Sequence, residues 1–77
     1  MEARIYNYDK LRGRIVEKFR TIQNFSEHLS ISRTALNSKL MNQTAISRED
    51  IVEWSLLLDI EPKDYGVYFF TLEVNNL

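Results

Sequence analysis

The sequence predicts a mainly all-α domain of five short helices, with a short β-strand possible at one or both ends. Two observations support this fold class. Apolar residues recur at helical spacing through most of the chain, and a residue suited to capping a helix precedes each of the first four such stretches. A length of 77 residues leaves room for one hydrophobic core, so we expect a single domain over residues 1–77.

The N-terminal segment predicts a strand followed by a helix. Residues 4–8 are rich in strand-forming side chains. Asp9 is then expected to cap helix 1, which runs from about Lys10 to Arg20 and carries its apolar residues at helical spacing.

Two short helices are predicted between Thr21 and Leu40. Thr21 is expected to cap helix 2, from Ile22 to Leu29, and Ser32 to cap helix 3, which ends at Leu40. The few residues between them make this a helix-turn-helix pattern over residues 21–40.

The C-terminal half predicts a polar loop, two helices and a strand. The loop covers residues 41–46, and Ser47 is expected to cap helix 4. The inward stripe of that helix consists of Ile51, Trp54, Ser55 and Leu58. Pro62 suits the first turn of helix 5, and residues 68–74 favour a strand.

Composition excludes several classes of function. The chain has no cysteine and a single histidine, so we expect no disulfide, metal site or cofactor. No nucleophile–base pair or glycine-rich phosphate loop is present, so we expect neither an enzyme nor a small-molecule ligand. No apolar run or leader pattern indicates a membrane or export, so the expected location is the cytoplasm of a bacterial host.

Charge is distributed unevenly along the chain. Residues 1–48 carry nine Lys or Arg against four Asp or Glu, whereas residues 49–77 carry one against seven. This asymmetry predicts one basic and one acidic face, although ordinary solvation of two surface halves is the alternative.

The outward side of helix 3 carries groups that can read base edges. These are Arg33, Thr34, Asn37 and Ser38. Arg can donate two hydrogen bonds to guanine, and Asn can exchange two with adenine. This face predicts binding in the DNA major groove, and a plain solvated helix surface is the alternative.

The segment from Phe25 to Ser32, FSEHLSIS, together with Leu36, resembles the Cro/cI-type helix-turn-helix of phage repressors. The wider frame resembles a small family of uncharacterised phage and prophage proteins from Gram-positive bacteria. The matching segments are Tyr8 to Ile15, Lys39 to Asn42 and Tyr68 to Phe70, so the resemblance covers roughly residues 8–70. It implies a five-helix, lambda-repressor-like DNA-binding domain.

The resemblance also implies which residues contact DNA. Base contacts are expected from Arg33, Thr34, Asn37 and Ser38. Phosphate contacts are expected from Gln23, Asn24, Lys39, Asn42 and Gln43. Ser30 stands at a turn position that is usually glycine, where a positive φ would cost about 1–2 kcal/mol.

The C-terminal half holds more apolar side chains than one small core needs. Those expected at the surface are Val52, Leu56, Phe69, Phe70 and Leu72. They predict a homodimer interface. The alternative is that the tail folds back and pairs with residues 4–8 of the same chain.

Two functions are consistent with these features. The first is sequence-specific binding of a double-stranded DNA operator by a phage or prophage transcriptional regulator. The second is a protein-interaction module that keeps the helix-turn-helix fold, such as an anti-repressor, and uses its acidic, apolar C-terminal half.

Overall fold

The computed structural model describes residues 6–73 and confirms the mainly all-α fold. Its five α-helices are α1 (Asp9–Phe19), α2 (Ile22–Ser26), α3 (Arg33–Leu40), α4 (Arg48–Leu58) and α5 (Tyr65–Phe69), with a 3-10 turn at Pro62–Asp64. Among residues 6–73 the only β-type pairing is an isolated antiparallel bridge between Tyr6 and Leu72. The strand predictions for Arg4, Ile5 and Val74 lie outside the described residues.

The core forms where the inward faces of the helices meet. The largest fully buried side chains are Trp54, Phe25, Phe69, Leu11, Ile15, Leu36 and Leu58. The rings of Phe25 and Trp54 meet edge to face, with centroids 5.9 Å apart. Burying each such side chain contributes about 2–3 kcal/mol before entropic costs, so the core sets the arrangement of the surface helices.

Helix α1 begins one residue earlier than predicted, and Asp9 is not its cap. Asp9 is the first helical residue, and its amide donates to Asn7 Oδ1 at 2.8 Å. Arg20 follows the helix with a φ of 75°. This left-handed residue turns the chain sharply toward α2.

Helix α2 ends at Ser26 rather than at Leu29. The amides of His28 and Leu29 bond to carbonyls three residues back, those of Phe25 and Ser26. The backbone therefore changes from i→i−4 to i→i−3 hydrogen bonds, and the α-helix ends before Leu29. Ser30 is not among the residues of positive φ in the described chain, so the predicted strain at this turn is absent.

Helix α4 matches its prediction. Ser47 and Asp50 form a capping box, in which each side chain accepts a hydrogen bond from the other residue's amide at 3.0 Å. The predicted inward stripe is buried throughout. This helix is therefore anchored at its start by the box and along its length by the core.

The predicted strand over residues 68–74 is wrong for its first two residues. Tyr68 and Phe69 belong to α5, because a helical backbone directs Phe69 into the core beside Trp54. The chain extends only afterwards, where Asn7 donates its amide to the Thr71 carbonyl at 2.7 Å. The tail thus folds back onto the N-terminal segment of its own chain.

Candidate interaction surfaces

Helices α2 and α3 are each opened by the hydroxyl cap that the sequence predicts. Thr21 Oγ1 accepts from the amide of Asn24 at 3.0 Å, and Ser32 Oγ accepts from the amide of Ala35 at 3.1 Å. Leu36 and Leu40 are buried on the inner side of α3. These two anchors determine which side of α3 faces outward.

The four predicted base-reading residues lie together on α3. Arg33 and Thr34 are exposed, whereas Asn37 and Ser38 are partly buried. Each later residue stands one helical turn after an earlier one, so the four side chains form one surface strip. The N-terminal end of the strip is therefore more accessible to solvent than its C-terminal end.

Two of the predicted phosphate contacts stand at the start of α2. Gln23 and Asn24 are both exposed. Gln23 Nε2 donates to Glu27 Oε2 at 3.2 Å, and Asn24 Nδ2 donates to the Phe19 carbonyl at 3.0 Å. Their amide groups therefore already have partners within the molecule.

Lys39, also predicted to contact a phosphate, joins α3 to α4 within the molecule. Its Nζ lies 2.7 Å from Asp50 Oδ2 and donates to the Ala45 carbonyl at 3.0 Å. The side chains of Lys39 and Asp50 are only 16% and 10% exposed. An ammonium held in this way would have to break an ion pair to reach DNA.

The ion pair also determines the charge state of Asp50. Burial opposes ionisation, but hydrogen bonds from Lys39 and Ser47 outweigh it and hold the pKa of Asp50 below its ordinary value. Asp50 therefore stays charged at neutral pH, and the pair stays formed.

Asn42, the next predicted phosphate contact, ties the loop after α3 to the N-terminal segment. Its Nδ2 donates to the Tyr6 carbonyl and its Oδ1 accepts from the Tyr6 amide, both at 2.9 Å. Its φ of 64° is left-handed, a region that Asn tolerates better than most residues. Gln43, the last in the predicted set, remains exposed beside it.

Several cations of the N-terminal half are turned toward the protein itself. Arg12 donates to the Leu40 carbonyl at 3.3 Å, and Arg14 donates to the Leu58 carbonyl at 2.8 Å. Lys18 pairs with Asp59 at 2.8 Å, and its hydrogen bond holds the pKa of that carboxyl below its ordinary value. The basic face expected from the charge count is therefore reduced, since about half of the described cations in this part of the chain have partners within the molecule.

The apolar side chains predicted to form a dimer interface do not share one surface. Phe69 is only 2% exposed, so its assignment to the surface is wrong: it fills the core. Val52 and Leu56 are 47% and 77% exposed on α4, and Phe70 and Leu72 are about half exposed near the Tyr6 bridge.

Three of these exposed side chains border two separate recesses. Val52 and Leu56 line an open groove of about 610 Å³, hereafter the α4 groove. Phe70 lines a narrower recess of about 370 Å³ together with Tyr6 and Asn42. The other residues that border the α4 groove are His28, Arg48, Glu49, Glu53 and Leu57.

Some members of the α4 groove were not predicted from the sequence. Glu53 accepts hydrogen bonds from the Ser30 amide and hydroxyl, at 3.2 and 3.3 Å, and so lies against the turn between α2 and α3. His28 packs against Phe19 with ring centroids 4.9 Å apart and the two rings tilted by 53°. Helical spacing indicated Val52 and Leu56, but these contacts from the turn between α2 and α3 depend on the tertiary fold.

Within residues 6–73 there is no cluster of three or more His, Cys, Asp or Glu side chains that could hold a metal ion. No helix in that part of the chain is long and apolar enough to cross a membrane. What the described residues offer for recognition is the α3 strip and the two recesses.

The fold and these surfaces define a small all-α protein whose candidate recognition sites lie on the faces of its helices. The chain belongs to the family described as "Protein of unknown function (DUF739)", whose model matches residues 4–72. No protein of curated function matches it.

Among solved structures, the chain is similar to the modulator of repression (MOR) of the temperate bacteriophage TP901-1 from Lactococcus lactis, determined in solution. The two share 30% sequence identity and superpose with a TM-score of 0.77. The match covers 91% of this chain and 95% of the phage protein.

Proposed function

We propose that this protein is a phage regulatory protein that modulates repression by binding a repressor directly. Its similarity to the TP901-1 modulator of repression extends over nearly the whole of both chains and supports a regulatory role of this kind. The sequence is consistent with operator binding and with a protein-interaction module, and this proposal takes the second of these functions.

The observation that carries the proposal is the internal use of cations. A protein that binds DNA gains much of its affinity from Lys and Arg side chains that neutralise phosphates. Here Arg12, Arg14, Lys18 and Lys39 donate to carbonyls or carboxylates of their own chain. Lys10, Arg20, Arg33, Arg48 and Lys63 make no such contact among the described residues, so about half of the cations remain for a phosphate backbone. The C-terminal half, residues 49–77, carries one Lys or Arg against seven Asp or Glu.

An acidic surface is suited to a partner that is itself basic. A repressor must present cations to its operator, so its DNA-facing side is complementary to this chain in charge. Binding there would compete with the operator and lower the occupancy of the DNA by mass action.

The proposal is tested with the repressor encoded by the same phage or prophage and its labelled operator. We expect this protein to bind the free repressor in a calorimetric titration and to release it from the operator in an anisotropy assay. Failure to bind the repressor, or release that follows from this protein occupying the operator itself, would contradict the proposal.

A second candidate function is direct reading of DNA by the α3 strip. It is favoured by Arg33 and Thr34, which are exposed at the start of a helix capped by Ser32. The test is selection from a random duplex pool with wild type and with Arg33→Ala/Asn37→Ala.

If α3 reads DNA, wild type enriches a short motif that the double variant loses. A palindromic motif with half-sites about 10 bp apart would also indicate a homodimer. Absence of enrichment at low salt, from protein shown to be folded, would remove this candidate.

A further inference from the structure

We infer that the α4 groove is the surface that receives the partner, and that its occupant is an amphipathic helix of the repressor with basic residues beside its apolar face. This inference rests on the proposed function and adds the location and chemistry of the contact.

The first argument is the continuity of apolar surface along α4. Val52 and Leu56 stand one helical turn apart and are 47% and 77% exposed, and Leu57 adds a partly buried edge. Single exposed apolar side chains are ordinary, but adjacent ones that border an open groove mark a contact site.

The second argument is the rigidity of the groove floor. Helix α4 is fixed at its start by the Ser47–Asp50 capping box and at its end by Arg14, which donates to the Leu58 carbonyl. Trp54, on the opposite side, is completely buried. A preformed surface binds with a smaller entropic cost than one that must order first.

The third argument is the charge at the border. Glu49 and Glu53 flank the apolar residues, and Ser30 holds the Glu53 carboxylate in place with two hydrogen bonds. Arg48 stands at the N-terminal end of the groove as its only Lys or Arg. A helix that lays an apolar face on Val52 and Leu56 would meet two carboxylates, which favour Lys or Arg on its flanks.

The size of the groove favours a helix over a second copy of this chain. A stable homodimer of standard size uses roughly 20–30 residues on each side. Seven residues line this groove, which corresponds to the narrower contact of one helix in a groove.

The test compares Val52→Lys and Leu56→Lys with Val16→Lys in calorimetric titrations of the repressor. Val16 is a matched control because it is 50% exposed on α1, a helix of the same length as α4. We expect the α4 variants to bind at least about tenfold more weakly, through lost apolar contact and added repulsion, while Val16→Lys binds like wild type. Thermal melts of all three variants check that each one folds.

A charge-reversal variant tests the stated chemistry of the partner. Glu49→Lys should weaken binding and flatten its salt dependence, whereas Glu73→Lys, an exposed acid outside the groove, should change neither by more than about twofold.

Each outcome is decisive. Binding that is unchanged in both α4 variants overturns the inference and leaves the proposed function standing. Absence of repressor binding by wild type overturns both. Sedimentation that shows self-association of wild type, abolished by Leu56→Lys, would assign the groove to a second copy and also overturn the inference.

Discussion

Lys39 on α3 and Asp50 on α4 form a nearly buried ion pair, with Nζ 2.7 Å from Oδ2. Because Asp50 also belongs to the capping box of α4, one carboxylate links α3, which carries the predicted base-reading strip, to the helix that lines most of the α4 groove. The helices that carry the α3 strip and the α4 groove are therefore linked by this one ion pair.

Removing the cation of this pair should destabilise the protein. Lys39→Met leaves a buried carboxylate without its main counter-charge, and we expect a loss of about 2 kcal/mol in the free energy of unfolding. Urea denaturation measures it. The control is Lys18→Met, which breaks the more exposed pair with Asp59 and should cost far less, because water and salt screen an exposed pair. Equal losses in the two variants would contradict this account.

The same pair predicts loss of stability in acid. The pKa of Asp50 in the folded chain lies below its ordinary value of 3.8. Its contribution is therefore fully present at pH values well above 3.8 and is lost as the pH falls through 3.8 toward the lower pKa of the folded state. Unfolding curves of wild type and Asp50→Asn between pH 7 and pH 2.5 should converge as the pH falls. A difference in stability that stays constant over that range would contradict the depressed pKa.

The start of α4 should depend on the hydroxyl of Ser47. Ser47→Ala removes the acceptor for the Asp50 amide and should cost about 1 kcal/mol. Ser47→Asp keeps an acceptor at this position but places it beside Asp50, so Ser47→Thr is the better rescue. Thermal melts of the Ala and Thr variants check the prediction, which fails if both lose the same stability.

Asn42 combines two roles that a pair of substitutions can separate. Asn42→Gly keeps the left-handed backbone and loses the hydrogen bonds to Tyr6, whereas Asn42→Ala loses both. We expect Ala to be less stable than Gly by about 1 kcal/mol. Hydrogen exchange at the Tyr6 amide should accelerate in both variants; an unchanged rate would show that the side chain does not hold this segment.

Local patterns were sufficient to predict α4 and the caps of α2 and α3. Ser47, Thr21 and Ser32 each act within three residues of themselves, and Trp54 follows the helical spacing of its neighbours. The end of α2 was harder to predict because Leu29 continues the apolar period, although the backbone has already left the α-helical pattern.

The contacts that local patterns missed join residues that are distant in sequence. Phe69 stands among strand-forming residues, but burial beside Trp54 outweighs that preference. The resemblance implies phosphate contacts for Lys39 and Asn42, and these stay predictions. It gives no sign that Lys39 pairs with Asp50, eleven positions away, or that Asn42 bonds to Tyr6, 36 positions away. No local pattern reveals such contacts, whereas the exposure of Arg33 and Thr34 follows from the buried positions of α3.

The burial of Trp54 gives the molecule an optical reporter of its own. It is the single tryptophan of the chain, and its indole is enclosed by Phe25 and Phe69, with no hydrogen-bond partner for Nε1 among the described residues. Its emission should lie in the blue range typical of a dry environment and shift to longer wavelength when the core opens. Because Trp54 shares α4 with Val52 and Leu56 of the α4 groove, the same unlabelled fluorescence can record whether a ligand bound in the groove disturbs the core.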